Sequence, residues 1–221
     1  MGIYKHGPFS GVSGKVGNLV GGSWMGKDYW RIIPAKVKNP RTPDQQAQRN
    51  RLGCSSKLAT YLNDMITKDI FNAYVEEKQL SMLGRNLFIR HNIHALEQDG
   101  SISDYSMLKL SVGSLSLPFD ITIDRDPNHE KTIRMQWRNW NPMIKTRSDD
   151  ELYFIVAIHN DGYEDDFNIF KSTAIRNDGI AYQQLPFDEG TEMHIYAYFS
   201  GLNRDHRQCF TDSFYSKVIQ S

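Results

Sequence analysis

Ser13-Gly14-Lys15 is the first group of residues in the chain whose types could do chemistry, because glycine followed by lysine occurs in phosphate-binding loops. Such a loop has Gly, four residues and then Gly-Lys-Ser/Thr, so that backbone amides cradle the phosphate and the hydroxyl holds magnesium. Here Phe9 stands where the first glycine belongs, and Val16 follows the lysine. The segment therefore predicts a flexible glycine-rich arm rather than a nucleotide site.

Two histidines and a carboxylate lie at helical spacing in the middle of the chain. His91 and His94 are three residues apart, and Glu97 follows one turn later. Side chains at this spacing share one face of a helix and can chelate zinc together. No further ligand that would complete a zinc site is evident nearby. We interpret the pair as partly solvated histidines near a helix C-terminus.

Two acidic clusters could supply oxygen ligands to calcium, which prefers several oxygens in a loop. They are Asp149-Asp150-Glu151 and Glu164-Asp165-Asp166. Neither matches the EF-hand pattern of alternating acids around a central glycine. We interpret both clusters as solvated loops of a β domain, and we predict neither a metal nor a cofactor.

A serine nucleophile also lacks its usual context. Gly11-Val12-Ser13-Gly14 departs from the Gly-x-Ser-x-Gly pattern, because the second glycine arrives too early and Lys15 takes the last place. No pair of carboxylates stands out from the general acidity of the chain. The sequence therefore predicts a protein that is not an enzyme and has no catalytic residues.

The N-terminal part of the chain interleaves cations with aromatic rings. The cations are Lys27, Arg31, Lys36, Lys38, Arg41, Arg49 and Arg51, and the rings are Trp24, Tyr29 and Trp30. Lys and Arg can meet phosphates while rings stack on bases, which would suit nucleic acid. In the competing interpretation the rings pack on another β surface while the cations meet an acidic domain. We prefer the second, because the chain as a whole is neutral and shows no recognition module.

The charge distribution supports a contact between unlike surfaces. Residues 1–51 carry nine Lys/Arg and two acids, a net charge of +7, whereas residues 97–221 carry twelve Lys/Arg and twenty Asp/Glu, a net charge of −8. Complementary ends suggest contact within one molecule or between copies. The residues predicted to make this contact are Trp24, Lys27, Tyr29, Trp30, Arg31 and Arg41.

The elements that would position these side chains fall into three parts. Residues 1–42 read as a basic β arm with a hairpin turn near Met25-Gly26-Lys27, and a lone hairpin needs another surface to pack on. Residues 43–100 are predicted to be helical. The three helices are predicted at Pro43–Leu62, with Thr42 as N-cap, at Ile66–Lys78 and from near Ser81 to near Leu96.

The period of the apolar residues changes from 3.6 to 2 after Gly100. Residues 101–221 therefore predict short strands separated by turns. The predicted strands are Leu108–Val112, Phe119–Ile123, Thr132–Trp137, Glu151–His159, Phe167–Ala174, Gly179–Leu185, Glu192–Phe199 and Cys209–Val218. This number of strands over about a hundred residues is typical of an immunoglobulin-like or fibronectin type III-like β-sandwich.

The cysteines and the apolar content of the chain indicate the redox state of its thiols and the compartment in which it is made. The two cysteines, Cys54 and Cys209, are predicted to be reduced. The start of the chain lacks the apolar region of a secretory signal, and no apolar run approaches the length of a membrane span. We expect a protein that is cytoplasmic at synthesis, has no membrane span and can later be part of a virion or filament.

Several motifs of the chain resemble an uncharacterised family. They are the string from Gly7 to Asn18, Gly26-Lys27-Asp28-Tyr29-Trp30-Arg31, Asn39-Pro40-Arg41-Thr42-Pro43 with Gln45, Gln48 and Arg49, Asn86-Leu87-Phe88-Ile89 and Asp104-Tyr105-Ser106-Met107-Leu108. The family is catalogued only as a domain of unknown function, mainly in Bacteroidetes. The resemblance implies the same domain layout and provides no catalytic residues to transfer.

These observations predict an α+β chain with an N-terminal β arm, a short helical section and a C-terminal sandwich. We expect a structural protein that forms a homo-oligomer or larger particle, such as a subunit of a phage virion or extracellular filament that uses its arm for subunit contacts. One alternative is a nucleic-acid-associated protein that uses the same basic aromatic arm. A second alternative is a carbohydrate-binding module built on the sandwich.

Overall fold

The structure is a computed structural model that describes residues 2–4, 13–36, 39–139, 148–159, 165–186, 192–203 and 205–219. Phe9, Val12, Lys38 and Glu164, which entered the sequence predictions, lie outside these ranges. The chain divides into two compact units, Met1–Gln46 and Ala47–Ser221. The predicted division into three parts stays a prediction. No helix among the described residues is long and apolar enough to span a membrane.

The first unit contains a four-stranded antiparallel sheet, here called the arm sheet. Its strands are β1 (Gly2–Tyr4), β2 (Gly14–Val16), β3 (Leu19–Trp24) and β4 (Lys27–Ile32), in the order β1-β4-β3-β2. Met25 and Gly26 connect β3 to β4 and have φ angles of 49° and 73°. A two-residue loop with both φ angles positive matches the right-handed twist of the strands that it joins. The predicted hairpin is thus confirmed.

Helix α1 (Pro43–Tyr61) begins where the sequence predicted. The Thr42 hydroxyl accepts a hydrogen bond from the Gln45 amide at 3.4 Å, and the Thr42 carbonyl accepts one from the Gln46 amide at 3.0 Å. A hydroxyl at the N-cap satisfies an amide that has no partner inside the helix. Pro43 at the first helical position has no amide hydrogen to satisfy.

The remaining helices keep the predicted order but differ in kind and length. They are a π-helix at Asn63–Phe71, α2 (Asn72–Glu77), α3 (Gly84–Asn92) and 3₁₀ turns at Ile93–Ala95, Tyr105–Met107 and Arg176–Asp178. The predicted helix Ile66–Lys78 is therefore partly of the π type. The third helix begins at Gly84 rather than Ser81, because Leu83 is extended and the Asn72 side chain accepts the Gly84 amide at 3.0 Å.

Two antiparallel sheets form the rest of the second unit. The strands are β5 (Phe119–Arg125), β6 (Thr132–Arg138), β7 (Glu151–Ile158), β8 (Asp166–Ile175), β9 (Ile180–Gln184), β10 (Glu192–Leu202), β11 (Gln208–Phe210) and β12 (Phe214–Ile219). The three-stranded sheet has the order β5-β6-β9. The five-stranded sheet has the order β8-β7-β10, with β11 and β12 both paired to β10.

Two apolar clusters order these elements into layers. One face of the five-stranded sheet packs on the three-stranded sheet, and its other face packs on the helices. Buried residues between the two sheets include Met135, Trp137, Leu152, Phe154, Ile195 and Phe199. Buried residues between sheet and helices include Leu62, Phe71, Phe88, Ile155, Tyr196 and Tyr198. The predicted mixed α+β character is confirmed, with strands as the larger part.

The predicted strand Leu108–Val112 is wrong, although its apolar side chains are buried as in a strand. Its polar groups form hydrogen bonds with the loop at residues 211–213 instead of with a neighbouring strand. The Ser111 hydroxyl donates to the Thr211 carbonyl at 2.6 Å, and the Leu110 amide donates to the Ser213 hydroxyl at 3.3 Å. The alternation of apolar side chains therefore correctly identified an extended, buried segment, but it did not show which part of the chain the segment bonds to.

The predicted single strand Cys209–Val218 is two strands, β11 and β12, which separate at Thr211. The Thr211 amide donates to the Phe199 carbonyl at 2.9 Å, and the Phe199 amide donates to the Thr211 hydroxyl at 3.0 Å. Thr211 also forms an isolated parallel bridge with Leu115. These bonds hold Thr211 out of the regular ladder, residues 211–213 separate the two strands, and β11 and β12 pair with different parts of β10.

Candidate functional site

The register of the arm sheet divides its side chains between two faces. In β3 and β4, Gly21 pairs with Trp30, Gly22 with Tyr29 and Trp24 with Lys27. Paired residues point to the same side of an antiparallel sheet, and successive residues alternate. The register of β2 continues this pattern, with Lys15 opposite Val20 and Val16 opposite Leu19. Each residue of β2 to β4 is thus assigned to one face.

The first face, here called the apolar face, carries Val16, Leu19, Trp30 and Ile32. Val16 pairs with Leu19, and Leu19 pairs with Ile32, so three aliphatic side chains form one row across three strands. They are 60%, 42% and 72% exposed. A contiguous exposed apolar row of this kind is typical of an interaction surface, whereas single exposed apolar residues are common everywhere.

The second face, here called the basic face, carries Lys15, Trp24, Lys27, Tyr29 and Arg31, with Val20 between them. Its three cations form no ion pair among the described residues. Asp28, the acidic residue of β4, belongs to the apolar face because it pairs with Ser23. The described part of the basic face is therefore cationic and holds no carboxylate.

Tyr29 and Trp24 give the basic face two aromatic rings. A Cβ atom built on Gly22 would lie 3.0 Å from Tyr29 Oη and 3.1 Å from Tyr29 Cζ, so the phenol leans across β3 above this glycine. Trp24 is 53% exposed and pairs with Lys27 next to the hairpin turn. Each ring thus lies next to a cation: Tyr29 is between Lys27 and Arg31 on its face of β4, and Trp24 pairs with Lys27.

The structure brings four of the six predicted contact residues together and separates the other two. Lys27, Tyr29, Arg31 and Trp24 share the basic face, whereas Trp30 belongs to the apolar face. The sixth, Arg41, is exposed and precedes α1, where its carbonyl accepts a hydrogen bond from the Gln46 side chain at 3.3 Å.

Four residues of the arm sheet that share these faces were not among the predicted contact residues, namely Lys15, Val16, Leu19 and Ile32. The signal that could have identified two of them is the hairpin turn. Counting outward from Met25-Gly26 pairs Leu19 with Ile32 and alternates the faces on both strands. The pairing of β2 has a similar marker, because the two residues Gly17-Asn18 connect Val16 to its partner Leu19 and Gly17 has a φ of 58°.

The other residues considered for chemistry are used elsewhere in the fold. Gly14 and Lys15 lie in β2 and not at a helix N-terminus, so they form no phosphate loop. His91 lies in α3, and burial together with nearby Lys109 lowers the pKa of its side chain. Glu97 Oε2 lies 3.6 Å from Arg51 Nη2, so its carboxylate is paired with a cation.

The cluster Asp149-Asp150-Glu151 differs from the predicted solvated loop. Asp150 is buried, and its Oδ2 lies 2.9 Å from Arg176 Nε. Glu151 begins β7, and its Oε1 lies 2.8 Å from Lys171 Nζ. The Asp150 and Glu151 carboxylates thus pair with two different cations. Among the described residues, no group of three or more His, Cys, Asp or Glu is placed to hold a metal ion.

A cleft of about 610 Å³ lies in the second unit and is lined by α1, residues 96–102 and the ends of β7 and β8. His159 and Asp165 line it, with His159 Nδ1 2.9 Å from Asp165 Oδ1 and 3.3 Å from Tyr105 Oη. Cys54 and Tyr61 line the same cleft. Its size would admit a small ligand, and the carbohydrate-binding alternative stays a prediction.

The two cysteines are free thiols, as the sequence predicted. Cys209 is buried and Cys54 is half-buried. Burial and the nearby Glu77 carboxylate raise the pKa of Cys209, which keeps this thiol protonated and unreactive.

Comparison with known proteins gave one family. The family model described as "Family of unknown function (DUF6266)" matches residues 11–206, which include most of both units. No curated protein matches the chain.

Proposed function

The chain belongs to DUF6266, and because this family has no assigned function we propose a role from the structure: a non-enzymatic assembly protein whose arm sheet packs on another copy of the chain. The observation that carries the proposal is the exposed row of Val16, Leu19 and Ile32 on the apolar face. A sheet of four short strands has little core of its own, so this row gains most by burial against a partner.

The apolar row is small, so a single contact between two copies through this row should be weak. Burying an aliphatic side chain contributes about 1.5–3 kcal/mol, so the three together provide roughly 4–9 kcal/mol when fully covered. Association itself costs about 4–15 kcal/mol. The row alone therefore holds a partner weakly, and a stable assembly needs additional or repeated contacts. Repetition of one contact around a ring or along a filament provides them.

The uneven charge distribution along the chain is a second argument for the assembly proposal. Residues 1–51 have a net charge of +7 and residues 97–221 a net charge of −8. Exposed cations of this part that lie outside the basic face, such as Lys36 and Arg41, can meet the acidic part of another copy, so that the contact joins unlike surfaces. Such a head-to-tail contact closes into a ring or continues as a filament. Both outcomes suit a virion or extracellular filament, which is the setting that we propose.

We further propose that the two-sheet part of the second unit is a sandwich of the fibronectin type III kind. Its first, second and fifth strands, β5, β6 and β9, form one sheet, and β8, β7, β10 and β12 lie in the other. In antibody constant domains the fourth strand joins the sheet of the first, second and fifth. Here the fourth strand, β8, pairs with the third instead. Domains of this kind commonly serve as building blocks in surface structures.

The assembly proposal is tested by the double substitution Leu19→Gln with Ile32→Gln. We expect the full chain to form oligomers whose dissociation constant rises at least tenfold in this variant, since ~1.4 kcal/mol of lost contact corresponds to a factor of ten. The measurement is the mass distribution by light scattering over a range of concentrations. The matched control is Leu52→Gln, which removes a leucine that is 50% exposed on α1.

Two outcomes would contradict the proposal. One is a full chain that stays monomeric at the highest concentrations. The other is an oligomer that the control substitution weakens as much as the double substitution does. Circular dichroism of both variants identifies a loss of folding, which would otherwise imitate a loss of contact.

A further inference from the structure

We propose that the basic face of the arm sheet binds single-stranded nucleic acid. This face lies on the opposite side of the sheet from the row that carries the assembly proposal, and the inference does not depend on self-association. It rests on three features of the described residues: cations that share their face with no carboxylate, two aromatic rings beside these cations, and spacing along β4 that fits a stacked strand.

The cations are arranged for a polyanion. Lys15 and Arg31 both pair with Val20, from the two sides of β3, and Lys27 lies at the turn end of β4. None of the three has an ion pair among the described residues, and no carboxylate shares the described part of their face. Cations that are not neutralised by the protein gain most from phosphates, because binding releases the counterions of the nucleic acid.

The aromatic rings lie among these cations. Tyr29 is two residues from Lys27 and two residues from Arg31 on the same face of β4. Its phenol leans across Gly22, where any larger side chain would displace it. Trp24 is exposed beside Lys27. Rings held on a sheet between cations are the arrangement on which bases of a single strand stack, with little dependence on sequence.

The spacing fits a short strand. A residue rises about 3.4 Å along an antiparallel strand, so Lys27 and Arg31 are about 14 Å apart along β4. Stacked nucleotides rise about 3.4 Å each along one strand, so this distance corresponds to about four nucleotides. The face can therefore hold two separated phosphates while Tyr29 contacts a base between them.

A single strand of nucleic acid fits this face better than an acidic protein surface does. Carboxylates alone would pair with Lys15, Lys27 and Arg31 but would leave Trp24 and Tyr29 without planar partners. A duplex would offer phosphates but keep its bases stacked inside. A single strand provides both the anions and the exposed rings.

The test measures binding of a fluorescent twelve-nucleotide oligo-dT, the matching oligo-U and inorganic polyphosphate to the full chain. We expect binding of both oligonucleotides at low salt, with a logarithmic salt slope of about −2, because three phosphate contacts contribute about −0.7 each on a single strand. Oligo-dT and oligo-U differ in the sugar and in the thymine methyl group, so equal binding shows that neither determines the affinity. Polyphosphate reports the contribution of charge without bases.

Two pairs of substitutions separate the contributions of the rings and the cations. Trp24→Ala with Tyr29→Ala should weaken oligo-dT binding at least tenfold and leave polyphosphate binding unchanged. Lys27→Gln with Arg31→Gln should weaken binding of both polymers and reduce the salt slope by about 1.4. The matched controls are Tyr182→Ala, which removes a tyrosine that is 52% exposed on β9, and Lys57→Gln on α1. Neither control should change the affinity.

The inference is overturned if oligo-dT does not bind at 50 mM salt or lower, or if a twelve-base-pair duplex, measured in the same way, binds more tightly than the single strand. It is also overturned if the ring substitutions leave oligo-dT binding unchanged, since the face would then be a patch for anions only. The Lys27→Gln with Arg31→Gln variant keeps these outcomes interpretable, because exposed polar substitutions on β4 leave its backbone pairing in place.

Discussion

At the scale of single residues, Asp150 and Arg176 form the most buried ion pair of the described structure. Their Oδ2 and Nε atoms are 2.9 Å apart, and the Arg176 guanidinium lies 4.5 Å from the centre of the Phe199 ring. Burial lowers the pKa of Arg176 and Asp150 opposes that shift. The Arg176 carbonyl also accepts the Trp137 indole at 2.8 Å. This pair replaces what the sequence suggested was a solvated acidic loop.

Gly201 is the residue on which this pair depends most. A Cβ atom at Gly201 would overlap the Asp150 carboxylate, so Gly201→Ala forces the pair apart. We expect a loss of about 3 kcal/mol in the free energy of unfolding, the usual cost of disrupting a buried pair. Urea denaturation measures it. The matched control is Gly53→Ala, where nothing lies within 4 Å and α1 should gain about 0.5–1 kcal/mol. Equal effects of the two substitutions would refute the dependence.

His194 is a second residue with a defined electrostatic role. Its ring stacks on Tyr105 at 3.6 Å between centroids, its Nδ1 lies 2.9 Å from Tyr215 Oη, and its Nε2 lies 3.3 Å from Glu192 Oε1. A neutral ring satisfies both contacts, with Nδ1 accepting from the tyrosine and Nε2–H donating to the carboxylate. Burial lowers the pKa of His194, opposed by Glu192.

A lowered pKa means that the unfolded chain takes up the proton more readily than the folded one. The stability that neutral His194 contributes is therefore fully present above about pH 6.5 and is lost as pH falls through the lower folded pKa. We expect the free energy of unfolding to fall as the pH drops below 6.5, with a slope from this group of at most ~1.4 kcal/mol per pH unit. His194→Gln should flatten that slope, and the residual slope belongs in part to His91. Parallel curves for the two proteins over this range would exclude the role.

At the scale of elements, the hairpin turn of the arm sheet is strained at one residue. Met25 has a φ of 49°, in the left-handed region that costs a non-glycine residue about 1 kcal/mol. Asparagine followed by glycine is the preferred sequence of such a turn. Met25→Asn should therefore stabilise the hairpin by about 0.5–1 kcal/mol and slow amide exchange in β3 and β4. Gly26→Val, at φ 73°, should do the opposite. Unchanged exchange in both variants would show that the turn does not limit the hairpin.

The turns and caps explain which elements the sequence could predict. The hairpin, α1 and the connection between β5 and β6 could be predicted because Met25-Gly26, Thr42-Pro43 and Asp126-Pro127 mark them by local chemistry. Asp126 illustrates this, since its carboxylate accepts the Asn128 amide at 3.2 Å in the turn between β5 and β6. Local signals of this kind need no knowledge of the rest of the fold.

The elements that the sequence did not predict depend on distant contacts. The break at Thr211 follows from bonds to Phe199, and the irregular segment at Leu108–Val112 follows from bonds to the Thr211 loop. The π form of Asn63–Phe71 has no sequence marker, because an extra residue per turn leaves the apolar spacing close to helical. The two faces on which the candidate contact residues lie could likewise be assigned only once the register of the sheet was known.

At the scale of the whole molecule, the two compact units have different sources of stability. The second unit has two apolar clusters that share the five-stranded sheet. The arm sheet of the first unit leaves Val16, Leu19 and Ile32 exposed. The opposite charges at the two ends of the sequence were evident from composition alone. Composition could not show that the arm separates its apolar and its cationic side chains, because only the strand register does so.

The two units also differ in how far apart along the chain their paired strands lie. In the arm sheet, β3 and β4 are joined by a two-residue turn, and hairpins of this kind close in about 1–10 μs. In the second unit, β6 pairs with β9, with Thr132 opposite Gln184, and sheets built from such distant pairings fold in milliseconds to seconds. The hairpin of a newly made chain is therefore ready to find a partner long before the sheets of the same chain are complete, and the speed of folding becomes a factor in which contacts form first.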